Sequence, residues 1–132
     1  HADDAYETVC ALWRSVGSRV VEIPPREHDD LVARTSHIPH IVAALVAELA
    51  AGPGDVKDLV GKGFRDVTRI AAGRAEIWRD ICLTNRDAIV AGLREFGQQT
   101  NAVLQIIEQG NADELDAFFQ SAQAARRRAL GE

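Results

Sequence analysis

Apolar residues recur at helical spacing along most of the chain, and glycine or proline interrupts the runs. Ala5, Val9, Leu12, Trp13 and Val16 repeat every three or four residues until Gly17. Asp4 and Glu7, spaced like a capping box, mark the expected start. "RVVEI", residues 19–23, loses that rhythm and is closed by Pro24-Pro25, which predicts a short strand. From Pro25 onward everything reads as helix. Leu31, Ile38, Ile41, Val42, Leu45 and Leu49 keep one apolar face until Gly52-Pro53-Gly54 breaks it, and a short piece follows around 56–60. "GFRDVTRIA" and "AEIWRDICL" read as two short helices or one broken one. Ile89, Leu93, Phe96, Thr100, Val103 and Ile107 are spaced 4-3-4-3-4, so one long helix is expected over about 85–109, ended by Gly110. Asn111 with Glu114 caps a last helix whose face is Leu115, Phe118, Phe119, Ala122 and Ala125.

A single strand leaves its backbone groups unpaired, and even a two-stranded hairpin is marginal alone. The strand at 19–23 is therefore expected to pair with a sheet outside this chain, as at the end of an α/β domain. The expected organisation is mainly α. Residues 1–23 form a helix and strand left from an α/β domain, and residues 24–132 form a multi-helix domain. The chain starts at His1 and has no methionine, which suggests a piece of a longer protein.

Composition sharpens this picture. With 132 residues, 46% of them hydrophobic, the chain can build a modest core. Aromatics are only 5%, and stretches such as "AALVAELAA" are alanine-rich, so helices can approach closely but a thick private core is hard to fill. Some apolar helical surface is expected to pack on another subunit, with a closed monomeric bundle as the alternative. The net charge of -5 argues against nucleic acid, and Arg126-Arg127-Arg128 reads as a solvated helix end. No apolar run is long enough to span a bilayer and no secretory signal is visible. Two distant cysteines, Cys10 and Cys82, make no disulfide framework, and a cytoplasmic setting is expected.

Candidate chemistry gathers in two stretches. Residues 35–40 read "TSHIPH" inside a helical run, where Pro39 removes a backbone hydrogen bond, costs about 3 kcal/mol and predicts a kink. Hydroxyls of Thr35 or Ser36, or water, are the expected partners for what it leaves open. The Ser36/His40 and His37/His40 spacings put each pair on one face, whereas His28, half a turn out of phase with His37, is expected to point elsewhere. Hydrogen-bonded core histidines and pocket histidines both fit. A metal site would need a further ligand that does not stand nearby, so none is expected.

In "GFRDVTRIA", Arg65 and Arg69 share a helical face and repel unless an anion neutralises them. A surface ion pair of Asp66 with Arg69 accounts for one arginine but not both. Gly61 and Gly63 permit close approach, so a small carboxylate ligand is a fair expectation. Trp78, beside Ile77 and Ile81, reads as core or as a pocket wall. No glycine-rich nucleotide fingerprint, nucleophile elbow or CxxC motif appears.

"HDDLVARTSHIPHIVAALV" followed by "GFRDVTRIAAGRAEIWRDICLTNRDAI" resembles the C-terminal helical domain of prephenate dehydrogenases, over about residues 10–110. The last helix matches in character only. The resemblance implies a 6-phosphogluconate dehydrogenase C-terminal-like dimerisation domain. It would follow a Rossmann domain that binds NAD or NADP and ends near residue 23. It further implies oxidative decarboxylation of prephenate to 4-hydroxyphenylpyruvate, in tyrosine biosynthesis, by a homodimer whose proton-accepting histidine lies in the Rossmann domain. By resemblance, Arg69 binds a substrate carboxylate and Arg65 lies near it. Asp66 and Trp78 belong to an ion pair and to the pocket wall or entrance. His40 recognises substrate or the product tyrosine, a possible inhibitor, and His37 helps form the wall. Neither the nucleotide loop nor the catalytic histidine has a counterpart here, so this polypeptide alone is expected neither to bind NAD nor to turn over. Arogenate dehydrogenase is a near alternative. A non-catalytic helical module that senses tyrosine or mediates assembly is a more distant one.

Overall fold

The computed structural model describes residues 2–132, and side chains from Asp4 onward; His1 lies outside the described residues. Seven α-helices carry the fold: α1 (Ala2–Ser15), α2 (Pro25–Val32), α3 (Ile38–Ala50), α4 (Lys62–Thr68), α5 (Ala75–Thr84), α6 (Arg86–Gln109) and α7 (Ala112–Leu130). A π-helical turn, Ala33–His37, joins α2 to α3, and a 3-10 turn, Arg69–Ala72, follows α4. None of these helices is long and apolar enough to cross a membrane.

Three helices end in the same way. Gly17, Gly110 and Gly131 have positive φ, and each donates to a carbonyl three residues back while the next residue donates five back. This is the Schellman arrangement, which satisfies carbonyls a helix end would leave open, and glycine enters the left-handed region without a Cβ penalty. At the other end of α7 the Asn111 side chain accepts from the Glu114 N–H at 3.2 Å, as its spacing predicts.

One expectation fails in the first 23 residues, and the strand expected at 19–23 has no pairing partner among the described residues. The helix starts at Ala2, so Asp4 lies inside it rather than at its cap, and its carbonyl accepts from Thr8 Oγ1. Residues 18–24 form no regular element: among the described residues no strand lies beside them, and a strand exists only as part of a ladder. The segment folds back on α1 instead, where hydrogen bonding to Glu22, and secondarily to Cys10, pushes the Tyr6 phenol pKa upward.

The packed centre is small. It comprises Cys10, Ala33, Ile38, Ala43 and Ile89, with His40 as the one buried polar side chain among the described residues. α6 packs against α2, the π turn and α3, and α3 packs against α4 and the 3-10 turn. Gly92 of α6 faces the Ile38 side chain so closely that a Cβ there would collide with its terminal methyl. A side chain at 92 would therefore force the Ile38 methyl out of its place between α6 and α3. Many large apolar side chains remain exposed, among them Leu12 and Trp13 on α1, Val16 just after it, and Leu104, Ile107 and Phe119 on α6 and α7. That is more apolar surface than a folded unit normally leaves in water without a partner.

Candidate functional site

Pro39 does not kink a continuous α-helix; the π turn ahead of it absorbs the disturbance. The Ile38 N–H reaches back five residues to the Ala33 carbonyl, and Pro39 sits in the first turn of α3, where a missing N–H is tolerated. The Thr35 hydroxyl donates to the Leu31 carbonyl at 2.8 Å and so does not serve its own carbonyl. A π turn acts as one inserted residue, and such insertions concentrate at functional sites.

The insertion changes which histidines meet. Nine α-helical residues separate His28 from His37 by about half a turn, at roughly 100° per residue; with one residue absorbed, the offset falls to about 80°. His28 and His37 accordingly line one cavity, of about 530 Å³, together with Ser36, Asp80 and Thr84, against the expectation that His28 points away. Ser36, expected on the face of His40, is exposed beside His37 instead.

His40 and Trp78 stack with ring centroids 3.3 Å apart and planes 11° from parallel, and His37 meets Trp78 edge-on at 6.3 Å. Trp78 is thus the common surface of both histidines. Gly73 closes the stack from the third side: a Cβ there would lie 2.5 Å from Trp78 Nε1 and 3.0 Å from His40 Cε1. Its φ of -61 and ψ of 153 suit any residue, so space alone demands glycine.

His40 is only 7% exposed, and this burial lowers its pKa from the ordinary 6.5. Glu48, Arg79 and Cys82 line the adjoining cavity of about 390 Å³. The folded chain keeps His40 neutral where the unfolded chain already takes a proton, so the unfolded state binds more protons below about pH 6.5. Stability therefore falls as pH drops from about 6.5 toward the lowered pKa, then levels off. Urea midpoints measured between about pH 7 and pH 5 will decrease, and His40→Phe will flatten that slope. An equal slope in the variant would assign the dependence to other groups.

The arginine stretch departs from its expected pairing. Asp66 pairs with Lys62, one turn earlier, rather than with Arg69. Arg65 and Arg69 are exposed, and among the described residues neither has an ion-pair partner. Arg69 opens the 3-10 turn whose far end is the Gly73 seat of the histidine stack. At about 2 Å rise per residue that places the two backbones about 8 Å apart along the turn.

Two residues outside the sequence candidates belong to this site: Gly73 and Asn85. The Asn85 side chain donates to the Asp29 carbonyl at 2.8 Å and faces His37 Nδ1 at 3.2 Å. Its position between two helical runs was the available signal, since asparagine favours helix ends.

Residues 24–121 match the family model described as "Prephenate dehydrogenase, dimerization domain". The chain belongs to this family. It is 34% identical over 126 residues to a prephenate dehydrogenase of Bacillus subtilis, covering 92% of this chain and 34% of that protein. It is 32% identical over 128 residues to a 4-amino-4-deoxyprephenate dehydrogenase of Streptomyces pristinaespiralis, covering 88% of this chain and 40% of that protein. Its fold superposes on a prephenate dehydrogenase from A. aeolicus, solved with hydroxyphenyl propionate and NAD+, with a TM-score of 0.85 and 26% identity over 96% of this chain and 46% of the other. The chain thus spans between a third and a half of the proteins it matches.

Proposed function

We propose that the chain is the helical portion of an NAD(P)-dependent prephenate dehydrogenase, which converts prephenate to 4-hydroxyphenylpyruvate by hydride transfer and loss of carbon dioxide. The observation that carries this reading is the joining of a dimerization-domain match over residues 24–121 to a buried histidine–tryptophan stack, with exposed Arg69, which has no ion-pair partner among the described residues, four positions before the Gly73 seat of that stack. His40, Arg69, Arg65, His37 and Trp78 are assigned to the substrate pocket, with Asp66 and Ser36 at its margin. Arg69 would hold a carboxylate, Trp78 would wall the ring, and His40, neutral under its burial, would recognise substrate without carrying charge.

Residues 1–23, which precede the family match, are assigned to the end of the nucleotide-binding domain. The exposed Leu12 and Trp13 on α1, with Val16 just after it, fit a surface that packs against the rest of that domain. NAD or NADP would be held there; the catalytic base is likewise assigned to that domain. The free thiols Cys10 and Cys82 fit a reducing, cytoplasmic setting. Homodimerisation fits the apolar groove between α6 and α7. Inhibition by tyrosine is a further expectation at the same pocket, since the product's aromatic amino acid shares the ring and a carboxylate with the substrate.

The test is turnover by the whole protein with each nicotinamide cofactor. Reduced nicotinamide is expected with prephenate. Faster turnover of arogenate would move the assignment to arogenate dehydrogenase. No hydride transfer to either would leave a non-catalytic assembly or tyrosine-sensing module.

A further inference from the structure

Asn85 stands where several elements meet. Its backbone N–H donates to the Ile81 carbonyl at the end of α5, and its carbonyl accepts from the Ile89 N–H at the start of α6. Its side chain ties this junction to Asp29 in α2 and to His37 in the π turn. A backbone carbonyl can only accept, so the Asp29 contact fixes which end of the amide is NH2. An NH2 group only donates. The His37 Nδ1 it faces must therefore offer a lone pair, and the neutral ring carries its proton on Nε2.

The other ring nitrogen is unused. Among the described residues Nε2 of His37 makes no hydrogen bond, and no buried side-chain nitrogen or oxygen lacks a partner, so Nε2 is open to solvent or to a ligand. The ring is held edge-on by Trp78 and sits on the cavity shared with Ser36 and Thr84.

We propose that Asn85 is a positioning residue that locks His37 in its Nε2–H tautomer, so that His37 presents a hydrogen-bond donor to a carboxylate or carbonyl oxygen of the substrate. The target of that donor rests on the dehydrogenase reading; the tautomer does not. The arrangement selects for acceptors, because a ligand N–H in the same place would face another N–H.

Nitrogen-15 ring spectra of the 132-residue chain, at about pH 8, report the tautomer directly. The Nε2–H pattern is expected, and an Nδ1–H pattern overturns the proposal. Asn85→Ala is expected to give a mixed tautomer. In the whole enzyme it should raise KM for prephenate by about two- to threefold, because only the fraction of rings in the Nε2–H tautomer still donates, with kcat changed less than about twofold. A merely structural Asn85 would lower the melting temperature and leave KM of the folded enzyme unchanged, which also overturns the proposal. Where Asn85→Ala does not fold, His37→Phe keeps the packing on Trp78 and removes the donor. A rise in KM of roughly tenfold is expected there, the effect of one lost hydrogen bond, and an unchanged KM refutes the proposal. A whole enzyme inert toward both prephenate and arogenate would defeat the functional reading and the donor's target, while the ring spectrum still decides the tautomer.

Discussion

Arg69→Ala in the full-length enzyme is expected to raise KM for prephenate by about 30-fold to several thousand-fold, the range that corresponds to 2–5 kcal/mol for a desolvated charge pair. The physical basis is the exposed guanidinium, without an ion-pair partner among the described residues, at the head of the 3-10 turn that leads to Gly73 and the His40–Trp78 stack. In this chain Arg69 faces water, and an ion pair that stays exposed contributes only about 0–1 kcal/mol. The size of the effect therefore reports more than the contact. A large rise in KM means that substrate and the remaining part of the enzyme close over Arg69 and exclude water. A rise below about fivefold means an open surface pair. Arg69→Lys keeps the charge but loses the planar fork, so it should recover only part of the loss. An unchanged KM in Arg69→Ala would remove this residue from the pocket altogether.

Sequence patterns located the helices well where one physical signal dominated. The 4-3-4-3-4 spacing from Ile89 to Ile107 can only bury one stripe if the segment is helical, and α6 follows it from Arg86 to Gln109. Gly110, followed by Asn111, could be read as an end and a beginning because left-handed backbone and side-chain capping each demand a narrow set of residues. The misses have equally specific causes. The Asp4 cap failed because α1 continues upstream to Ala2, so a local motif was outvoted by helix propagation. The strand expected at 19–23 does not form within this chain because a strand is a property of pairs, and the sheet it was expected to join is not among the described residues. The π turn was invisible because Pro39 signals a disturbance without saying where the chain absorbs it. That one inserted residue moved Ser36 off the face of His40 and brought His28 toward His37. Lys62 won Asp66 from Arg69 at a spacing of four residues, which local counting of three had not weighed. The family's residue types were thus legible, while their neighbours were not. Gly73 and Asn85 act through contacts across 33 and 48 residues of chain, taking Gly73 to His40 and Asn85 to His37.

Replacing Leu104 and Ile107 together by aspartate is expected to convert a dimer into a monomer at tens of micromolar protein, read by sedimentation. Both side chains are at least half exposed on α6, and with Phe96, Val103 and Phe118 they line an apolar groove of about 410 Å³ against α7. The packed centre of this chain is too small to account for such a face, and the family match is to a dimerization domain. A second copy of the same groove would bury it, and closed two-fold symmetry lets one patch serve both partners. Each aspartate then enters an apolar seam without a partner charge. That desolvation costs several kcal/mol per carboxylate, enough to move a tight dimer out of the micromolar range. In a monomer the same substitutions would sit on half-solvated helix surface and cost roughly 1 kcal/mol each, without any change in mass. The two cases separate cleanly. A loss of mass in sedimentation with helical content retained identifies the α6–α7 face as the seam. A dimer that survives both charges places the seam elsewhere and leaves this groove to another occupant.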